Sequence, residues 1–233
     1  MDGKKMTTLM LDDAPLDQID STVGNWIKAL PKLRNSAVDD AGGDLESTNR
    51  RLRMTIQRLE RLVYIDELTR LPNRRFFEGA LEAEMRRAAR EEVPLSLFMC
   101  DIDLFKRHND TFGHRGGDAL LRLIADVLQR YCRRAGDCAA RYGGEEFALI
   151  LPRLNATAAR ALAEELRNTV AELTISHRDS KDLQRVTMSI GVTTYYAQGP
   201  CSSGELVDAA DAALYKAKNS GRNRTCYQAF RTW

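Results

Sequence analysis

No stretch of this chain approaches the ~20 consecutive apolar residues that a membrane-spanning helix needs. The early apolar stretch Met6 to Leu11 stops at once in Asp12-Asp13, too short for a secretion-signal core. Basic runs are missing too. Lys+Arg 35 against Asp+Glu 33 leaves a net charge of +2, which argues against a nucleic-acid footprint. The five cysteines (Cys100, Cys132, Cys138, Cys201, Cys226) are odd in number and lack Cys-x-x-Cys spacing. Neither a disulfide framework nor a zinc site is expected, and reduced thiols in a cytosol fit best. The expectation is a soluble, cytoplasmic protein with no membrane and no nucleic-acid partner. What is present, 233 residues of 43% hydrophobic content, suffices for one sizeable domain plus an appendage.

The richest segment is Arg141-Tyr142-Gly143-Gly144-Glu145-Glu146-Phe147. Gly-Gly between two strand-like runs signals a hairpin turn, since both glycines tolerate φ > 0. Two carboxylates at such a tip repel each other unless a cation or substrate sits there. Alone, a solvated acidic tip explains them as well. About forty residues upstream, however, the apolar run Leu95 to Cys100 reads as a buried strand ending in Asp101-Ile102-Asp103. Alternation sends Asp101 and Asp103 from the strand end on one face. Asp103 is also a candidate helix cap for the segment that follows. Asp101 with Glu145 and Glu146 makes a set of hard oxygen donors of the kind that holds Mg²⁺.

These motifs, with Asp66-Glu-Leu-Thr-Arg-Leu-Pro-Asn-Arg-Arg75 before them and Ala210-Asp-Ala-Ala-Leu-Tyr-Lys-Ala-Lys-Asn-Ser-Gly-Arg-Asn223 after, resemble the GGDEF-domain diguanylate cyclases in their GGEEF variant. The resemblance runs from about Asp66 to the C-terminus, with four motifs in the family's order. One departure is Arg70, where the family usually has glycine. If that position needs φ > 0, arginine is strained there by about 1 kcal/mol.

The resemblance implies condensation of two GTP into cyclic di-GMP and two pyrophosphates, with Mg²⁺ as cofactor and Mn²⁺ as its substitute. By motif position, Asp101, the Ile102 carbonyl, Glu145 and Glu146 would hold the metal. Glu145 is also where the family places the acceptor of the 3′-OH proton, and the sequence leaves base and ligand roles open. Gly143 at the turn, backbone N–H groups of Phe105 and Lys106 at a helix start, and the cations Lys106, Lys218 and Arg222 suit a triphosphate. Lys218 and Arg222, four apart, are expected on one face of the last helix. Asn109 and Asp118 would read guanine, the carboxylate accepting from N1–H and the exocyclic amine and the amide donating to O6. His114 is a further nucleotide contact or an ordinary loop histidine. His108 and His177 read as structural. Arg134-Ala-Gly-Asp137 resembles the family's product-inhibition site, with Arg134 gripping a phosphate or guanine edge and Asp137 accepting from the guanine amine. One domain holds one GTP, so the implied enzyme is a homodimer.

Residues 1–65 differ in texture. Leu16, Ile19, Val23, Trp26, Ile27 and Leu30 recur at helical spacing between Pro15 and Pro31. Beyond Ala41-Gly-Gly-Asp44, heptad spacing puts leucines at d and Asn49, Ile56 and Val63 at a, which favours a parallel two-stranded coil. A helix packed on its own domain fits the same pattern. The expected division is 1–44, an amphipathic helical region; 45–65, a coiled-coil stalk; and 66–233, the cyclase domain. The apolar stripe of the first region is a candidate docking surface for an activator protein. A fold-back onto the stalk would cover that stripe equally well.

In the cyclase domain the pattern predicts a helix capped by Asn73 and running to about Arg90, a strand 95–101, helical segments within 103–134 and the hairpin 138–151. A helix 156–173, a strand 185–193 and a helix 204–219 follow. The fold class is α+β, a palm-like nucleotide-cyclase domain. Its central sheet is expected to be of antiparallel type, with covering helices and with the hairpin at its centre. Two other readings remain at this point. One is a catalytically silent cyclic di-GMP receptor, against which the intact metal and guanine residues argue. The other is a nucleotidyltransferase of different specificity.

Overall fold

The computed structural model describes residues 48–51, 63–175, 184–197, 199 and 201–230. The expected N-terminal helix, the stalk positions Leu45, Leu52, Ile56 and Leu59, and His177 lie outside them. Residues 48–51 are helical, as are residues 63 and 64 ahead of the domain.

Helix α1 spans Arg74–Glu91, and the Asn73 side chain accepts from the Phe76 N–H as expected. Strand β1, Leu95–Ile102, is buried at all eight positions. A long helix α2, Phe105–Tyr131, breaks helical geometry only at Gly113. The hairpin strands are β2, Cys138–Gly143, and β3, Glu146–Pro152. Helix α3 spans Ala156–Ala171, and the short strands β4, Thr174–Ile175, and β5, Gln184–Arg185, pair with each other. Strand β6, Met188–Tyr195, is followed by helix α4, Ser203–Asn219, opened by a Ser202/Glu205 capping box. Strand β7, Thr225–Ala229, closes the domain.

The five-stranded sheet runs β2-β3-β1-β6-β7. Strand β1 is antiparallel to both β3 and β6. Its alternate side chains split the core. Phe98, Cys100 and Ile102 pack with α2 and α3 residues such as Leu120, Ile124, Ala163 and Leu166. Leu95, Leu97 and Met99 face Phe77 and Leu81 of α1 and Leu206, Ala210 and Leu214 of α4. Helices on both faces explain why β1 reads as an apolar run from Leu95 to Cys100 with only Ser96 inside it.

Three expectations need correction. The hairpin is not central: β2 is an edge strand and β1 occupies the middle, because its two edges pair with β3 and β6. The sheet is mixed, not antiparallel throughout, since β7 joins β6 in parallel. That strand was not foreseen, for its positions are only half-buried and carry no apolar run. The strand read as 185–193 begins at Met188, with Val186 and Thr187 in the approach to it.

Gly191 sets how closely α4 approaches the sheet. A Cβ there would stand 2.2 Å from the Ala210 carbonyl oxygen and 2.2 Å from the Leu214 nitrogen. Helix and strand therefore touch backbone to backbone, and the next turn of α4 is carried over the end of β1. Arg70, the departure noted above, has φ 61. The turn does require the left-handed region, so arginine carries a strain of about 1–2 kcal/mol. Asp66 holds the turn nonetheless: its backbone carbonyl accepts from the Arg70 N–H at 2.9 Å and its side chain from the Thr69 N–H at 2.8 Å.

Candidate active site

The register of β1 with β3 puts Asp101 directly opposite Glu146. The Ile102 N–H reaches the Glu145 carbonyl at 3.4 Å, tying the end of β1 to the hairpin turn. Gly144 turns with φ +53, a conformation that suits glycine. From α4, Lys218 brings Nζ to 2.6 Å from Asp101 Oδ2. Burial pushes the Asp101 carboxyl above the ordinary carboxylate range, Glu145 and Glu146 add to that push, and Lys218 opposes it. The structure thus brings Asp101, Glu145, Glu146 and Lys218 together at one end of the central strands.

These donors fit a divalent cation. They are hard carboxylate oxygens beside a backbone carbonyl segment, and an ammonium already stands against the most buried of them. Among the described residues no three acidic, histidine or cysteine side chains already close around a single point. Water and phosphate oxygens would complete the shell, as is usual for Mg²⁺.

Asp103 does not cap α2. Its oxygens accept from Thr187 Oγ1 at 2.7 Å, Ser189 Oγ at 2.6 Å and the Asn223 N–H at 2.9 Å. It locks the β1–α2 turn to β6 and to the segment after α4. The residue before α2 is instead Leu104, left-handed with φ 57, with no side-chain cap and no acidic residue in the first turn. That helix start, including Phe105 and the exposed Lys106, is open to an anion.

Asn109 and Asp118 lie on α2 on either side of the Gly113 break. Asn109 Oδ1 is buried with no hydrogen-bond partner, while Asp118 is half-buried and His114 exposed. A Cβ at Gly117 would come 1.8 Å from Asn109 Oδ1 and 3.1 Å from the Phe105 ring. Only glycine leaves Asn109 in this position. His108 is buried between Phe105 and Phe112, consistent with a structural role.

Arg222 departs from expectation. Helix α4 ends at Asn219, so Arg222 is not four residues along it from Lys218 but in a turn with φ 60. Gly221, with φ +112, makes that turn and breaks the helix before the second cation. At the far end of β2 from the Gly-Gly turn, Arg134 is exposed and Asp137 is 4% exposed. The Asp137 carboxylate accepts from the Arg134 N–H at 2.8 Å, and burial raises its pKa against the pull of backbone bonds from Arg134 and Arg133. That carboxylate therefore shapes the turn itself.

Two positioning residues escaped the reading of the sequence. Arg141 donates through Nε to the Gly144 carbonyl at 3.0 Å and through Nη1 to both Asp66 oxygens at 3.1 Å. Burial works to raise the Asp66 pKa, yet bonds from Thr69 and Arg141 outweigh it and hold the carboxyl below its usual range. The opening motif thus braces the acidic turn across 75 residues of chain. The arginine sat inside the quoted motif, but nothing local to it points to Asp66.

The family model described as "Diguanylate cyclase, GGDEF domain" matches residues 63–224. The chain belongs to the GGDEF diguanylate cyclase family. It is 41% identical over 175 residues to Diguanylate cyclase VdcA of Vibrio cholerae, covering 75% of this chain and 50% of that protein. It is 42% identical over 168 residues to Diguanylate cyclase DgcM of Escherichia coli K12, covering 72% and 39%. The chain thus spans half or less of the length of these curated relatives. Among solved structures it resembles the coiled coil and GGDEF domain of DgcB from Caulobacter crescentus in complex with c-di-GMP. The TM-score is 0.73 at 35% identity, over 80% of this chain and 96% of that one. It also resembles diguanylate cyclase SiaD in complex with its activator SiaC from Pseudomonas aeruginosa. Here the TM-score is 0.67 at 35% identity, over 78% and 68%. A GGDEF member accounts for the palm-like sheet, its covering helices and the acidic turn at the end of β1. Among the described residues, no helix is long and apolar enough to cross a membrane.

Proposed function

We propose that this chain is a diguanylate cyclase, condensing two GTP into cyclic di-GMP and two pyrophosphates as a homodimer. The observation that carries this reading is the register setting Asp101 opposite Glu146, beside the turn that bears Glu145. Asp101, the Ile102 carbonyl, Glu145 and Glu146 would hold Mg²⁺, or Mn²⁺ in its stead. Bound there, the ion would supply positive charge for the phosphates and would make the attacking 3′-hydroxyl more acidic. Glu145 accepts the 3′-OH proton. The open start of α2 with Lys106, together with Lys218 and Arg222, holds triphosphate oxygens. Asn109 donates to guanine O6, and Asp118 accepts from N1–H and the exocyclic amine. Adenine offers an acceptor at N1 and lacks guanine's 2-amino group, so Asp118 rejects it.

Each 3′-OH must meet the α-phosphorus held by the other subunit, which makes dimerisation part of the reaction. The heptads of residues 45–65 are proposed to hold that dimer in parallel, and residues 1–44 to receive an activator protein. The existence of an activator complex for SiaD supports looking for one. Arg134 and Asp137 are proposed to bind product, with Arg134 as the ligand grip and Asp137 shaping its turn.

The decisive experiment incubates the protein with Mg²⁺ and each nucleoside triphosphate in turn and chromatographs the products. Cyclic di-GMP from GTP alone is expected, with none from folded Glu145→Ala or Asp101→Ala. Binding of cyclic di-GMP without synthesis would show a receptor, and turnover of another nucleotide would show a different specificity.

A further inference from the structure

The Asp101–Lys218 pair has a consequence separate from phosphate binding. Lys218 is 30% exposed on its side chain and Asp101 only 11%, so the bond is partly shielded from water. The ammonium sits in the last turn of α4, held there by the backbone contact of that helix with Gly191. Glu145 and Glu146 crowd the same carboxylate with negative charge. Three acids at one strand end would otherwise repel one another while no cation is bound.

We propose that Lys218 is a built-in counter-ion that takes the cation position at Asp101 before the metal arrives and must yield it on metal binding. This rests on the reading of Asp101 as a metal ligand. A dication entering at Oδ2 displaces the ammonium directly. One entering at Oδ1 stands across a single carboxylate from it and is repelled. Either way, Lys218 keeps the empty site folded and weakens its grip on bare metal. It also makes tight metal binding depend on an anion that draws the ammonium away. The nucleotide triphosphate is such an anion, so metal and substrate are coupled through one side chain.

The sign of the effect distinguishes this role from simple substrate binding. The test uses the full chain, stripped of metal and without nucleotide, titrated with Mn²⁺ while free Mn²⁺ is followed by electron paramagnetic resonance. Lys218→Met should bind Mn²⁺ roughly tenfold more tightly than the unaltered protein, the scale of one charge-assisted bond no longer to be broken. Lys218→Arg keeps the charge and should keep the weak affinity. Melting supplies an independent reading. Lys218→Met should melt lower than the unaltered protein without metal, because a buried carboxylate loses its partner. Mn²⁺ should then raise its melting temperature by more. Asp101→Asn should weaken Mn²⁺ binding in either background. If Asp101→Asn weakens binding but Lys218→Met does not tighten it, the counter-ion role is refuted and Asp101 remains a ligand. If Asp101→Asn leaves Mn²⁺ binding unchanged, the ligand reading fails and the counter-ion role fails with it.

Discussion

Replacing Gly117 by alanine should separate guanine binding from both folding and chemistry. The new methyl would lie 1.8 Å from Asn109 Oδ1, 2.9 Å from its Cγ and 3.1 Å from the Phe105 ring. The side chain of Asn109 must rotate away. Stability should change little, because two terms oppose. Alanine favours a helix interior over glycine by about 1 kcal/mol. Crowding against Asn109 and Phe105 costs about the same, at the low end for overpacking, since the nearer neighbour is the flexible end of a side chain. The melting temperature should therefore stay within about 4 °C. Binding should suffer, since guanine O6 loses its donor in a shielded site. An unsatisfied buried acceptor costs about 1–3 kcal/mol, or roughly 5- to 150-fold. Guanine is remote from the reacting atoms, so the loss should fall on KM and leave kcat near the original. The assay is steady-state cyclic dinucleotide formation against GTP and against inosine triphosphate. The inosine nucleotide keeps O6 but lacks the amine, so both KM values should rise by the same factor. A folded variant with a GTP KM within twofold of the unaltered protein would refute the placement of guanine at Asn109.

Asp66→Asn and Arg141→Lys should each lower kcat by loosening the acidic turn. In the double variant the losses should be less than additive, because Asp66 acts on the turn through Arg141 Nη1, which both of its oxygens hold. Additive losses would show independent roles. Arg134→Ala should keep the initial rate but remove the stall of progress curves as product accumulates, and curves that stop at the same product concentration count against an inhibitory site. Glu84 is buried, and burial raises its pKa despite Arg87 nearby. A carboxyl with a raised folded pKa stabilises the fold below its unfolded pKa, and that contribution fades as pH rises through the folded value. Glu84→Gln should therefore melt higher than the unaltered protein at neutral pH, with the gap closing as pH falls into the carboxylate range. A gap that is constant with pH would refute this.

Local chemistry made much of this protein legible in its sequence. Asn73, Asn155 and Ser202 cap their helices through side chains only a few residues from the N–H groups they serve. Strand β1 announced itself by its apolar run from Leu95 to Cys100, and the Gly-Gly turn by its flanking apolar runs. Candidate metal and guanine residues could be named from the sequence because each motif of the family resemblance keeps its residues within a few positions. Arg70 was readable as a strained departure because φ is a property of one residue.

The tertiary structure decided whatever depends on which distant segments meet. Edge or centre is a property of the whole sheet, so the place of the hairpin could not be read from the hairpin. Strand β7 is too short and too exposed to carry a periodic signal, and exists because β6 offers it an open edge. Asp103 looked like a helix cap, and became a lock only because Thr187, Ser189 and Asn223 converge on it from 84 to 120 residues away. Asp66 reaches Arg141 and Asp101 meets Lys218 by the same kind of convergence. A charge finds its partner through space, and sequence spacing holds that information only within a turn or two of helix or strand.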